Sequence, residues 1–290
     1  MTGRRRRDWL GYLFVAPYLL LFGAFLVGPL LYGLRLSLFR WEMLSPAPPA
    51  YIGLGNYREA LADPYFRQAF WATLRMVVWV TPCTVGLALA VALGLHALAG
   101  RRQGLYRAAY FLPTMLTISV VGILWRWFYH PDMGLFNAGL QAAFGLKAPW
   151  FSDAGWATAA VVIMTVWWTM GGPMVILLAG LQGVPVQYDE AARLDGAGPW
   201  QRLWHVTLPI LRPVLLFAVT LNTIGAFQIF GQTYLVTRGG PEGATRTLVH
   251  LIYDTAFQHY RLGYAAAISW LMFLLIGAFA LLQFRLLRDR

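Results

Sequence analysis

Six stretches of this chain are apolar over lengths that cross a bilayer, which takes about 20 helical residues. They run roughly 10–34, 70–98, 108–128, 156–180, 211–234 and 263–284. Backbone N–H and C=O groups in hydrocarbon must be paired within the structure, so spans of this kind are helices. Composition agrees. Of 290 residues 59% are hydrophobic and 12% charged, against about 25% charged in soluble domains. The expectation is an all-α polytopic membrane protein of six transmembrane helices, with 1–290 as a single transmembrane domain.

The net charge of +11 does not form one basic face; arginines flank the spans, which favours orientation in a membrane over nucleic acid as a partner. An even number of spans puts both ends on one side. That side would carry Arg4, Arg5, Arg6, Arg7, Arg101, Arg102, Arg107, Arg193, Arg202, Arg212, Arg285, Arg288 and Arg290 in short segments. The remaining basic residues are spread over longer outer connections, so both termini are expected in the cytoplasm. The basic start resembles a signal peptide, yet its apolar stretch exceeds the usual h-region and no small-residue cleavage site follows, so it reads as a retained first span. Cys83 is the single cysteine and allows no internal disulfide.

Chemistry-bearing residues are sparse. No acidic residue falls inside the six spans, which weakens an ion-coupled carrier. Lys147 is the one lysine, and its "GLKAP" context is no phosphate-cradling Walker loop. The histidines, His96, His130, His205, His250 and His259, lack metal-ligand spacing. Neither a catalytic nor a metal site is expected, and no cofactor in this chain.

Residues 185–209 interrupt the lipid-like pattern with "EAARLDGAGPWQRLWHVTLPI" (190–210). Good helix formers run up to Gly196, and Pro199 starts a second short helix expected to close before Pro209. Two short helices joined at a glycine suggest a helix-turn-helix, but a DNA reader needs a free recognition helix and this one is tethered to spans on both sides. Ala191, Ala192, Gly196 and Ala197 permit close approach, and Leu203, Trp204 and Val206 supply an apolar side for docking a partner.

The spacing E-A-A, three residues, G, nine residues, an aliphatic residue, one residue, L-P is met by Glu190-Ala191-Ala192, Gly196, Val206 and Leu208-Pro209. It resembles the EAA loop of membrane subunits of binding-protein-dependent ABC importers, with valine where isoleucine is commoner. "YIGLGNYREAL", "FLPTMLTISVVGILWRWFYHPDMGLFN", "LAGLQGVP" and "FQIFGQTYLVTRGGP" are similar to segments of the MalF-like carbohydrate-uptake permeases, of the shorter six-span type found among lactose, glycerol-3-phosphate and oligosaccharide permeases. The resemblance implies a permease subunit, not itself an enzyme, in the cell membrane. It further implies a second homologous permease, two ATPase subunits that bind ATP and magnesium, and an extracytoplasmic solute-binding protein. Residues 185–209 would be the cytoplasmic coupling loop, with Glu190, Ala191, Ala192, Arg193, Asp195, Gly196, Leu208 and Pro209 meeting the ATPase. The cargo implied is a sugar, oligosaccharide or related polyol; the alternatives are an importer of glycerol phosphate, amino acid or peptide, and a stand-alone channel or secondary carrier.

A sugar pathway needs polar groups for hydroxyls and aromatic faces for stacking. Asn222, Gly225, Gln228 and Gln232 would share about a third of the circumference of a continuous fifth helix. Trp167, Trp168, Thr117, Ser119 and Tyr234 are further candidates. Amides in membrane helices also act as interhelical glue. Trp125, Trp127, Phe128 and Tyr129 read as an interfacial aromatic belt, and Arg75 and Arg126 as snorkelling side chains.

Overall fold

The computed structural model describes residues 3–98 and 100–288, with side chains over 12–98 and 100–285. Asp289, Arg290 and the side chains of Arg4, Arg5, Arg6, Arg7 and Arg288 lie outside the described residues, so the orientation drawn from them rests on sequence. The chain runs through α1 (Gly3–Phe22), α2 (Gly28–Ser37), a hairpin of β1 (Phe39–Arg40) and β2 (Ala50–Tyr51), α3 (Gly55–Ala62), α4 (Pro64–His96), α5 (Gly100–Phe111), α6 (Ile118–Phe128), α7 (Leu135–Phe144), α8 (Ala154–Thr169), α9 (Gly171–Gln182), α10 (Val186–Leu194), α11 (Pro199–Arg202), α12 (Leu208–Phe227), α13 (Leu248–Tyr253) and α14 (Leu262–Arg288). Among the described residues four helical segments are long and apolar enough to cross a membrane: Tyr12–Ser37, Pro64–His96, Pro199–Phe227 and Leu262–Arg285. Two bent pairs raise the number to six when each counts as one span.

The bends lie in the third and fourth apolar stretches. Gly100–Met115 and Ile118–Phe128 meet at 95°, because Pro113 sits in a tight turn (Leu112–Met115) and Leu116 and Thr117 are extended. Ala154–Thr169 and Gly171–Gln182 meet at 48°, at Met170 before Gly171-Gly172-Pro173. Each break frees backbone carbonyls, and one is answered across the gap: Trp168 Nε1 donates to the Leu116 carbonyl at 3.1 Å.

Two of the spans that continue through proline widen their winding just before it. In the first, the Gly28 N–H bonds to the Gly23 carbonyl; near the second, the Leu208 N–H bonds to the Leu203 carbonyl. Both turns are one residue wider than an α-turn, and Pro29 and Pro209 follow directly, where the hydrogen-bond ladder has already changed step. The helix expected to close before Pro209 therefore does not close; Pro199–Phe227 is continuous.

The chain divides into two compact units. The first, residues 1–63 and 252–273, holds the hairpin, with Phe39 opposite Tyr51. Asn56 secures it by donating Nδ2 to the Ser37 and Phe39 carbonyls at 2.8 and 2.9 Å. Within the same unit Arg261 Nη2 reaches both Glu59 oxygens at 2.7 and 2.9 Å, and the Tyr264 hydroxyl donates to Asp63 Oδ2 at 2.7 Å.

The second unit, residues 64–251 and 274–290, has its core where α4, α9 and α12 meet. Val85, Ala88, Ala92, Met174, Leu177, Leu181 and Leu211 form one buried cluster; Met76, Val80, Val161, Phe227 and Ile229 form another. A third is aromatic and corrects the belt reading. Trp125 is 5% exposed and Tyr129 fully buried, packed against Phe136, Trp150 and Trp167, with the Tyr129 hydroxyl donating to the Ala160 carbonyl at 2.9 Å. Trp127 remains exposed. Arg75, exposed overall, turns one guanidinium nitrogen inward: its Nη2 donates to the Ala244 carbonyl at 3.0 Å. Gln68, donating to the Glu242 carbonyl, and Thr73 Oγ1, accepting the Leu248 N–H at 2.8 Å, hold the same 237–248 segment to α4.

Candidate functional site

The charged interruption folds as a helical elbow. Pro185, extended, precedes α10, whose first turn carries Asp189 and last turn Arg193, each complementing the helix dipole. α10 stops at Asp195 because Gly196 takes φ +82°, a left-handed conformation open to glycine at little cost. The Gly196 N–H bonds to the Arg193 carbonyl at 3.0 Å and the Ala197 N–H to the Ala192 carbonyl at 2.9 Å, the paired bonds of a Schellman turn. Gln201 Oε1 then accepts the Gly198 N–H at 2.8 Å and starts α11.

Most of this elbow faces outward. Glu190, Ala191, Arg193, Asp195, Gly196 and Pro209 are exposed; Ala192 and Leu208 are half-buried. Apolar side chains share the surface: Leu194 is 89% exposed and Trp200 73%, with Val186, Tyr188 and Trp204 also exposed. Leu203 and Val206, expected on the docking side, are half-buried.

A cavity of about 270 Å³ lies higher in the same unit, lined among others by Thr165, Thr169, Gly172, Asn222, Gly225 and Gln232. It sits at two helix breaks, the α8–α9 bend and the end of α12 at Phe227. Past Phe227 the backbone leaves helix at Gln228 (φ −92°, ψ 12°), so the continuous face expected over 222–232 ends there. Asn222, Gly225 and Gln232 still meet at the cavity; Gln228 is exposed and does not line it. Thr117 and Ser119 are exposed and do not line it either. Trp167 belongs to the aromatic cluster, Trp168 holds the Leu116 carbonyl, and Tyr234 packs on Phe230 and His250 at 5.3 and 5.5 Å. Asn222 Nδ2 donates to the Ala218 carbonyl at 2.9 Å, while Thr165 and Thr169 donate to Val161 and Thr165 carbonyls at 2.7 Å each. These polar groups keep acceptor capacity toward the cavity.

Residues 68–290 match the family model described as binding-protein-dependent transport system inner membrane component. The chain belongs to this family. Among curated relatives of this permease, a probable ABC transporter permease of Bacillus subtilis, YurN, is 34% identical over 278 residues, covering 94% of each chain. The lactose transport system permease LacF of Rhizobium radiobacter is 34% identical over 294 residues, covering 99% of this chain and 97% of its own. A bacterial ABC transporter involved in import of the acidic polysaccharide alginate shares the fold, with a TM-score of 0.80 at 21% identity over 98% of this chain and 96% of that one. The permease is thus a membrane subunit of an ABC importer and not itself an enzyme.

Two features of the permease were not named from sequence. Thr165 and Thr169, one turn apart on α8, join the cavity; the i, i+4 threonine pair was the available signal. Asn137 donates to the Pro131 and Ala148 carbonyls and accepts the Ala148 N–H and Trp150 Nε1–H at 3.0 Å each; a lone asparagine in a loop-rich stretch gave no sign of that role.

Proposed function

We propose that this permease carries a sugar, oligosaccharide or related polyol inward, sharing its pathway with a second homologous permease. Residues 185–209 are its coupling loop. They take up motion from one of two ATPase subunits, which bind ATP and magnesium, while an extracytoplasmic solute-binding protein supplies cargo. Both termini are cytoplasmic, on the side of the coupling loop, and the six spans of 1–290 act as one transmembrane domain.

The observation that carries the reading is the solvent-facing leucine at the tip of a capped, rigid elbow. Exposed apolar anchors flanked by charge are the usual make-up of a protein-docking surface, and Gly196 fixes the angle at which Leu194 and Trp200 are offered. The cavity supports the pathway. Broken membrane helices are tolerated where they line a cavity and are where transporters bind cargo, and its amide and hydroxyl groups suit a hydroxylated molecule. The lactose and alginate systems among the similar proteins favour a carbohydrate.

The test is reconstitution of the permease with its partner permease, ATPase and binding protein in liposomes. ATP-dependent sugar uptake is expected, together with a cross-link from Leu194→Cys to the ATPase. Gly196→Pro should leave the protein in the membrane and uncouple ATP hydrolysis from uptake. Uptake by this chain without any ATPase, or unchanged uptake by Gly196→Pro, counts against the proposal.

A further inference from the structure

The elbow is not packed flush against the helices above it. A hollow of about 300 Å³ separates α10 from the ends of α4 and α9, with Leu93, His96, Leu181 and Val184 among its walls. An ion network of Asp189, Arg193 and Arg202 lines the hollow on the side of the elbow. Both Asp189 oxygens lie 2.6 Å from Arg202 Nη1, and Asp189 Oδ2 lies 2.9 Å from Arg193 Nε. Arg193 belongs to α10 itself. Arg202 stands at the foot of the continuous helix Pro199–Phe227, so the Asp189–Arg202 pair ties the first helix of the elbow to a span.

The pair is sheltered. The Arg202 side chain is 17% exposed and that of Asp189 35%, and Arg202 Nε is buried without a hydrogen-bond partner among the described residues. Partly buried charges paired at short distance are screened less than surface pairs and resist separation. With the hollow between α10 and the ends of α4 and α9, the Asp189–Arg202 pair is a direct polar tie from α10 to the helix that begins at Pro199.

We propose that Asp189 is a positioning residue: its bond to Arg202 is the strut that passes displacement of α10 to the foot of the Pro199–Phe227 helix. This rests on the reading of 185–209 as the coupling loop. It makes Asp189, outside the EAA spacing, as important to coupling as Glu190, though it acts through Arg202 and need not touch the ATPase.

The experiment uses the reconstituted importer and measures cargo moved per ATP hydrolysed, with ATPase co-purification as the assembly check. Asp189→Asn and Arg202→Gln are each expected to lower cargo per ATP about tenfold with the ATPase still bound, and the double variant to fall no further than either single, as for two ends of one interaction. Unchanged cargo per ATP in Asp189→Asn overturns the proposal, as does a double variant whose loss is the product of the two single losses. If a single variant fails to assemble, the double, which removes both sheltered charges and leaves only the exposed Arg193 without its partner, decides: assembly regained with low cargo per ATP supports the strut; assembly regained with wild-type cargo per ATP, or not regained, overturns it. If the wild-type permease fails to retain the ATPase and Leu194→Cys fails to cross-link to it, the coupling reading itself is refuted, a failure separate from that of Asp189.

Discussion

Gly263 lies so close beneath Phe39 that a Cβ built on it would fall 2.0 Å from the Phe39 carbonyl oxygen. The Gly263 N–H donates to the Trp41 carbonyl at 3.2 Å, and the obstacle is backbone that cannot rotate aside. Gly263→Ala should therefore cost at least the upper end of the roughly 1–3 kcal/mol typical of overpacking. The readout is a lowered Tm and a smaller monodisperse fraction in detergent. Gly277→Ala, on the same helix with nothing near its Cβ position, should leave both unchanged.

Asn137 closes the 130–153 connection over the aromatic cluster. Asn137→Ala strands the Ala148 N–H and the Trp150 indole N–H, both buried, and each unpaired group costs about 1–3 kcal/mol. Faster proteolytic cleavage within 130–153 is expected, with a shift in tryptophan emission as Trp150 is released. Exposed Gln141→Ala should match wild type in both measurements.

How far the sequence speaks is seen at Phe227. Apolar runs locate the helices because the bilayer demands paired backbone, and the Gly196 turn is legible because its left-handed geometry has a residue preference. The end of α12 is not legible. "GAFQIFGQTYLV" keeps a helix-compatible pattern to Val236, and the break is sustained by a distant group, Thr247 Oγ1, which donates to the freed Ile229 carbonyl at 2.6 Å. Trp125 and Tyr129 teach the same lesson. Amphipathic rings suit a membrane interface and an enclosed core alike, and only the return of α7 and Trp150 over them decides which.

The cavity yields a paired prediction. Asn222→Leu and Thr169→Val remove polar groups that line it and should reduce the uptake rate about tenfold or more, with the ATPase still bound, a loss on the scale of one hydrogen bond in the transport transition. Gln228→Leu should leave uptake near wild type although it occupies the same stretch of sequence. Equal losses in all three would remove the distinction that the helix break draws between them.

Leu194 is exposed enough that Leu194→Asp should alter the stability of the isolated permease by no more than about 0.5 kcal/mol. Its effect on ATPase retention should be far larger, about 2 kcal/mol or more, or at least 30-fold in affinity, as for an anchor residue. Pull-down of the ATPase by wild-type and variant permease in detergent compares the two directly.

Between Leu194 and the cavity the Pro199–Phe227 helix passes through the widened winding at Leu203–Thr207. Under the coupling proposed above, displacement of Leu194 has one covalent helical route to Asn222, and it passes through that turn, where the hydrogen-bond ladder steps by five residues instead of four.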